Sequence, residues 1–454
     1  MTKEAKKLIV TLTLVLLVTL PSRLIAQTSI SNCVQFVSAI TSDLAGNFVL
    51  ANNIDCNGVS IFPFGSKATP FTGTLDGQGF SIANITLLGG GSFPDFALFV
   101  SVSSTGTIQN LIFDNYRASG STNVSVGGIA AVNDGTISQV TINIANGAAI
   151  VGDGEVGGIA GVNSGTISSC TVNGSVQTLA LSIGGAGGIA GNNDNGGQVT
   201  GCITNVTASG FTNIGGIAGT NRGTISSSTA NGTVTADFNG GGIVGLQRDG
   251  TISQCTSNAS VPGGSSASAI GGLVGFADGT SLTTPLNIEN STATGNVSGD
   301  SEVGGLIGRL GNANVTNCVA TGSVTQSIGT NNRNFGGLIG YAEDAIITSS
   351  SASGAVDANG DVGGLVGRMD SSLGQMVSIQ DSFATGDVSG NRHVGGLLGR
   401  ASNISAFTSS LHVIEDCHAT GDISHSGVLA ASHGGLVGSS RDTEIRESYS
   451  TGTV

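Results

Sequence analysis

Tryptophan is absent from the 454-residue chain, tyrosine occurs three times and proline six times. Charged residues make up 10 %, less than half the roughly 25 % of ordinary globular proteins. The shortage of proline excludes a collagen-like chain, which also needs glycine in strict period. Charge-driven disorder is excluded too. It requires few apolar residues and many charges, whereas 39 % of this chain is hydrophobic. Cations are scarcer than anions, 15 against 29 without histidine, for a formal net charge of −14. That balance argues against a nucleic-acid partner, which needs basic patches. What the chain has in excess is glycine, 75 residues. Glycine and β-branched residues both weaken helices, so a helical fold is disfavoured.

Residues 1–26 read as a secretory signal. Lys3, Lys6 and Lys7 precede an uncharged run from Leu8 to Leu20, and Pro21, Ser22 and Ala26 supply the break and the cleavage point. The run is 13 residues long, too short for a helix that must cross a membrane core of about 30 Å. No other segment is long and apolar enough to be a spanning candidate. Cleavage after Ala26 leaves 11 cations against 28 anions, a net of −17. The expected location is therefore secreted or cell-surface. Of the seven cysteines, Cys33 and Cys56 precede the repetitive part and make a reasonable disulfide pair for an exported protein.

Periodicity dominates the rest. A core of Gly-Gly-(Ile/Leu)-apolar-small begins at Gly127, Gly157, Gly187, Gly215, Gly241, Gly271, Gly304, Gly336, Gly363, Gly395 and Gly434, at spacings of 26 to 39 residues. After each core, a β-branched residue is followed by two polar residues, a small one, and a short segment ending in Gly-x-Val, as in Ile167 to Val176. Phe96–Phe99 and Ile108–Leu111 form a degenerate earlier copy, making about twelve units. The apolar segments are short, rich in Val and Ile, and bounded by Gly, Asn, Asp and Ser, which are strand and turn signals. A unit of about 30 residues cannot bury its own apolar face, so it must stack on its neighbours. The expected fold is all-β, a parallel solenoid with one coil per repeat and about 12 coils, some 58 Å long at 4.8 Å per coil. A propeller has fewer, longer blades and fits worse.

Two columns support stacking. Three residues after the β-branched position stand Leu111, Val140, Cys170, Cys202, Ser228, Cys255, Ser291, Cys318, Ser350, Ser382, Cys417 and Ser448. These small residues suit an inward corner, where free cysteine acts as a small hydrophobe. A Cys170–Cys202 bond is the alternative, and a zinc site is weaker because no CxxC spacing occurs. Six residues after the β-branched position stand Asn143, Asn173, Asn205, Asn231 and Asn258, then Thr294, Thr321, Ser353, Thr385, Thr420 and Thr451. Most precede glycine, so the column reads as turn chemistry and as a stacked Asn, then Thr/Ser, ladder. A ligand-binding threonine array is the rival reading.

The Gly-Gly-Leu-Val-Gly cores at 271–275, 363–367 and 434–438 resemble the GLUG repeat of bacterial exported proteins. The stretches 46–55, 70–79 and 82–85 look like the lead-in that commonly precedes such repeats, so the resemblance covers about residues 30–454. It implies a right-handed parallel β-helix on large surface proteins, among them adhesin-like proteins and relatives of IgA-specific metallopeptidases. No catalytic residue belongs to the repeat itself. Apolar spacing over 31–45 suggests a short helix, started by Ser31 or Asn32, that caps the first coil. The expected organisation is a signal over 1–26, a cap and lead-in over 27–95, and repeats over 96–454. The last repeat stops halfway at Val454, which suggests a truncated reading frame.

Little chemistry is visible. No His-Glu-x-x-His occurs, so metallopeptidase activity does not carry over. All five histidines, His393, His412, His418, His425 and His433, fall in the last coils and read as surface residues, with His393 and His433 near equivalent positions. Counting from the Gly-Gly pairs places Glu302, Asp361 and His393 in one column and Arg309, Arg368 and Arg400 in another. Together they make an exposed charged strip that suits a glycan or protein, or merely solvated charges. No catalytic residue, cofactor or metal site is assigned. The expected function is a non-catalytic, adhesin-like surface scaffold or stalk binding an extracellular glycan or a cell-surface protein. The alternatives are a polysaccharide lyase or hydrolase on the same fold, and the repeat fragment of a larger surface protein.

Overall fold

A computed structural model describes residues 27–89, 95–120, 125–179, 182–279, 286–327, 333–371, 377–403, 412–425 and 432–454. The signal-like segment 1–26 lies outside the described residues. Short strands stack in parallel, coil upon coil, to form a β-solenoid of about 12 coils. One ladder contains 12 strands, from Phe99–Val102 through Ala130–Asn133 to Val437–Ser439. A second, six-stranded ladder runs from Val261–Pro262 to Ile423–His425. The other 38 strands join one continuous sheet.

The register shows why a β-branched residue recurs in every unit. Ile137, Ile167, Val199, Ile225, Ile252, Ile288, Val315, Ile347, Ile379 and Ile414 pair in succession, and all are fully buried. Burying each such side chain contributes about 1.5–3 kcal/mol. Their flanking threonines and serines face outward, as the alternating burial of Thr136–Ile144 shows.

The Gly-Gly pair is set by close approach of backbones. A Cβ on Gly304 would lie 2.0 Å from the Ile307 carbonyl oxygen, and one on Gly305 would lie 2.1 Å from the Gly337 oxygen in the next coil. Neither glycine has a positive φ. Because the coils touch so closely, the aliphatic residue after each pair packs into a continuous inner stack. Ile129, Ile159, Ile189, Ile217 and Ile243 give way to Leu273, Leu306, Leu338, Leu365 and Leu397, all fully buried.

Positive φ occurs at a corner that the sequence reading did not single out. Asn110, Gln139, Ser169, Ser227, Gln254, Asn290, Asn317, Ser349, Asp381, Asp416 and Glu447 all lie in the left-handed region, with φ between 42° and 53°. Each immediately precedes the column of small residues. The turn swings the following side chain inward, and Cys170, Cys202, Cys255, Cys318 and Cys417 are buried free thiols there. Polar residues tolerate this conformation best among non-glycine types.

At the N-terminal end, helix Cys33–Ser42 begins at Asn32, whose side-chain oxygen accepts from the Gln35 amide at 3.0 Å. Phe36 and Ile40 are fully buried, and Phe36 meets Phe64 edge-on at 5.6 Å. A disulfide joins Cys33 to Cys56. Strands Gln27–Ile30, Asn47–Leu50, Thr74–Asp76 and Thr107–Tyr116 pair in order, so the segment before the repeats adds rungs to the same parallel sheet.

Candidate functional site

The charged strip is built on two ladders. Glu302 occupies a left-handed corner (φ 54°), and Arg309 lies in the strand that follows the Gly-Gly turn. The corner brings them together: Arg309 Nη1 lies 3.5 Å from Glu302 Oε1, and Nη2 lies 3.7 Å from Glu343 Oε2. The register also places Arg309 between Phe276 and Tyr341, with the guanidinium 5.3 and 5.2 Å from their ring centroids. Burial raises the pKa of Glu302 despite the nearby Arg309 charge. Burial likewise raises that of Tyr341, whose hydroxyl donates to Glu343 at 3.4 Å.

Asp361 and His393 are registered partners in adjacent coils, with His393 Nδ1 2.7 Å from Asp361 Oδ1. The sequence reading puts the strip on an exposed face, but Asp361 is only 2 % exposed. Its carboxylate also lies 3.8 Å from Arg392 Nε. Arg368 donates from Nε to Asp370 at 3.1 Å, and Ser402 donates to the same oxygen at 2.6 Å. Burial disfavours the Arg368 charge, yet Asp370 outweighs it and raises the pKa of the guanidinium. Arg400 registers beside Arg368. The strip is thus three internally paired clusters rather than one open constellation. Glu343 and Asp370, which complete two of them, come from strand positions that the Gly-Gly count did not include.

The histidines separate. His433 pairs with Val394 and His393 with Ser432, so the two are one position out of register and not equivalent as expected. The alternating strand directs their side chains to opposite faces. His412 is fully buried, and burial lowers its pKa. His418 stacks between Phe383 and Tyr449, at 4.9 and 5.3 Å between centroids.

Two asparagine ladders run along the rod. The outer one links Asn143, Asn173, Asn205, Asn231 and Asn258 through side-chain amides at 2.7–2.9 Å, and Thr294 joins its end at 2.9 Å. An inner ladder escaped the sequence reading. Asn133, Asn163, Asn193, Asn221 and Gln247 are fully buried and linked at 2.7–2.8 Å. The signal was present, because each stands six residues after the first glycine of its core. After Gln247 that position becomes Ala277, Leu310, Ala342, Met369 and Ala401, and the core continues as apolar packing.

A groove of about 660 Å³ opens on the flank of the early coils, with Thr86, Leu87, Arg117, Ser119, Ser175 and Gln177 among its lining. Arg117 is exposed there, amid hydroxyl and amide groups. The sequence reading did not single out these residues. The lining comes from four successive coils and shares no motif.

The geometry defines a class: a repeat protein whose parallel β-solenoid is built on a tight Gly-Gly turn that recurs in eleven coils. The family model of the GLUG motif matches residues 266–298, 299–325 and 331–357. No curated protein matches the chain. Four chains among solved structures do. One is the crystal structure of a "putative immunoglobulin A1 protease from Bacteroides ovatus", 15 % identical, covering 93 % of this chain and 84 % of that chain at a TM-score of 0.30. Among the described residues, no helix is long and apolar enough to cross a membrane.

Proposed function

We propose that this chain is an exported, non-catalytic GLUG-repeat scaffold that binds an extracellular glycan or a cell-surface protein along its flank. The observation that carries the reading is the pairing of the strip. Glu302, Asp361 and Asp370 are each held by a neighbouring cation within 3.8 Å, and each is largely buried. A glycosidase needs two carboxyl groups facing a substrate across about 5–9.5 Å. The open groove beside Arg117 offers instead a cation, hydroxyls and amides over an apolar floor, a mixture suited to binding. Export rests on the signal-like segment 1–26 and agrees with what the resemblance of the Gly-Gly-Leu-Val-Gly cores to the repeat of exported proteins implies.

The competing reading is a carbohydrate-active enzyme on the same fold. The mature protein, screened on a glycan array and in parallel depolymerisation assays, separates the two. Retention of a glycan or protein ligand without product supports the scaffold. Product release that survives purification and disappears in Asp361→Ala refutes it. The larger-protein alternative is addressed by the genomic sequence downstream of the Val454 codon.

A further inference from the structure

We propose that His425 and His433 form a binding site for a divalent transition-metal ion such as zinc or copper. The column containing His433 is a core column. Its registered members in successive coils are Val126, Val156, Ala186, Ile214, Gly240, Ile270, Val303, Phe335, Val362 and Val394, nine of them apolar side chains and one glycine. In the next coil an imidazole takes the place of the aliphatic group. His425 stands in the six-stranded ladder in register with Gly390. That glycine presents no side chain to crowd the ring. The two imidazoles meet with centroids 4.9 Å apart and planes at 77°.

His425 Nδ1 and His433 Nε2 are 3.2 Å apart. Two Zn–N bonds of about 2.05 Å meeting near the tetrahedral angle place their nitrogens about 3.3 Å apart. The pair is therefore spaced for two ligands on one ion, with the protons on His425 Nε2 and His433 Nδ1. Among the described residues no third histidine, cysteine or carboxylate joins them. His425 is exposed and His433 half-buried, so water can complete the coordination shell, as in metal sites that accept an external ligand. Imidazole ligands favour copper over zinc and both over magnesium.

Calorimetric titration of the mature protein with zinc, copper and magnesium chloride tests the site. The expected result is one equivalent of zinc, tighter copper binding and no magnesium binding. His433→Val, which restores the apolar column, and His425→Gln should each weaken zinc binding at least ten-fold without lowering the metal-free melting temperature. Absence of zinc and copper binding in the parent, or binding of equal strength in both variants, overturns the assignment.

Discussion

Placing a single methyl group on Gly305 tests the packing argument most directly. An added Cβ would sit 2.1 Å from the Gly337 oxygen, 3.2 Å from Ala320 Cβ and 3.2 Å from the Gly337 carbonyl carbon. The nearest obstacle is backbone in the adjacent coil, so no side-chain rotation relieves the clash. Either the coils separate locally, losing hydrogen bonds worth about 1 kcal/mol each, or the inner stack shifts at an overpacking cost of about 1–3 kcal/mol. Gly305→Ala is therefore expected to destabilise its coil by about 2–4 kcal/mol on those two scales, and Gly305→Val by more. Gly311 is the control, because its Cβ would meet Asp278 Oδ1 at 3.5 Å and the Ala277 carbonyl oxygen at 3.9 Å, both ordinary contact distances. Gly311→Ala should be neutral or slightly stabilising, since it restricts the unfolded chain. Solenoids open coil by coil, so the assay is hydrogen exchange of peptides around 300–345, with thermal unfolding by circular dichroism beside it. Equal protection and equal melting for Gly305→Ala and Gly311→Ala would refute the close-approach argument.

The two asparagine ladders should respond differently: Asn163→Leu strands the buried amides of Asn133 and Asn193 and should cost about 2–4 kcal/mol, whereas Asn205→Ala, in the exposed ladder, should cost under about 1 kcal/mol in denaturant titrations. Burial raises the thiol pKa of Cys255 and Cys417 to about 11 and that of Cys318 to about 12, above the ordinary 9.0. The folded state then holds these protons more tightly, so their stabilising contribution is intact below pH 9 and is lost as pH rises towards 11–12. Alkaline unfolding should begin in that window and move upward in a Cys255→Ser, Cys318→Ser double variant, followed by circular dichroism. Cys33→Ser opens a link across 23 residues and should destabilise the capped end by about 3 kcal/mol, visible as faster proteolysis near the N-terminus.

Most of the architecture was legible because one physical problem is solved the same way in each unit. The Gly-Gly pairs announced the period, and the small column from Leu111 to Cys417 announced an inward corner. The inner Asn133–Gln247 ladder was less visible because a buried amide and an outward turn amide look alike in sequence. Only its neighbours in three dimensions make it internal. The left-handed corner was hidden for a related reason. Its occupants, from Asn110 to Glu447, share a backbone conformation rather than a side-chain type. At the charged strip, counting from Gly-Gly brought Asp361 to His393 correctly. It missed Glu343 and Asp370, which approach Arg309 and Arg368 from neighbouring positions. A one-residue offset likewise separated His393 from His433, because alternation along a strand turns a small counting error into a change of face.

The two asparagine ladders are polarised in opposite senses. In the inner row each Nδ2 donates toward the following coil, Asn133 to Asn163 and Asn163 to Asn193. The carbonyls of Gly165 and Gly197 hold the donors in that orientation. In the outer row each Nδ2 donates toward the preceding coil, Asn173 to Asn143 and Asn205 to Asn173. Both rows are head-to-tail chains of amide dipoles, in which each hydrogen bond polarises the next. Running antiparallel through the same coils, they oppose each other's field. The early coils thus gain the cohesion of two cooperative side-chain chains without accumulating opposite charge at the ends of the asparagine-bearing segment.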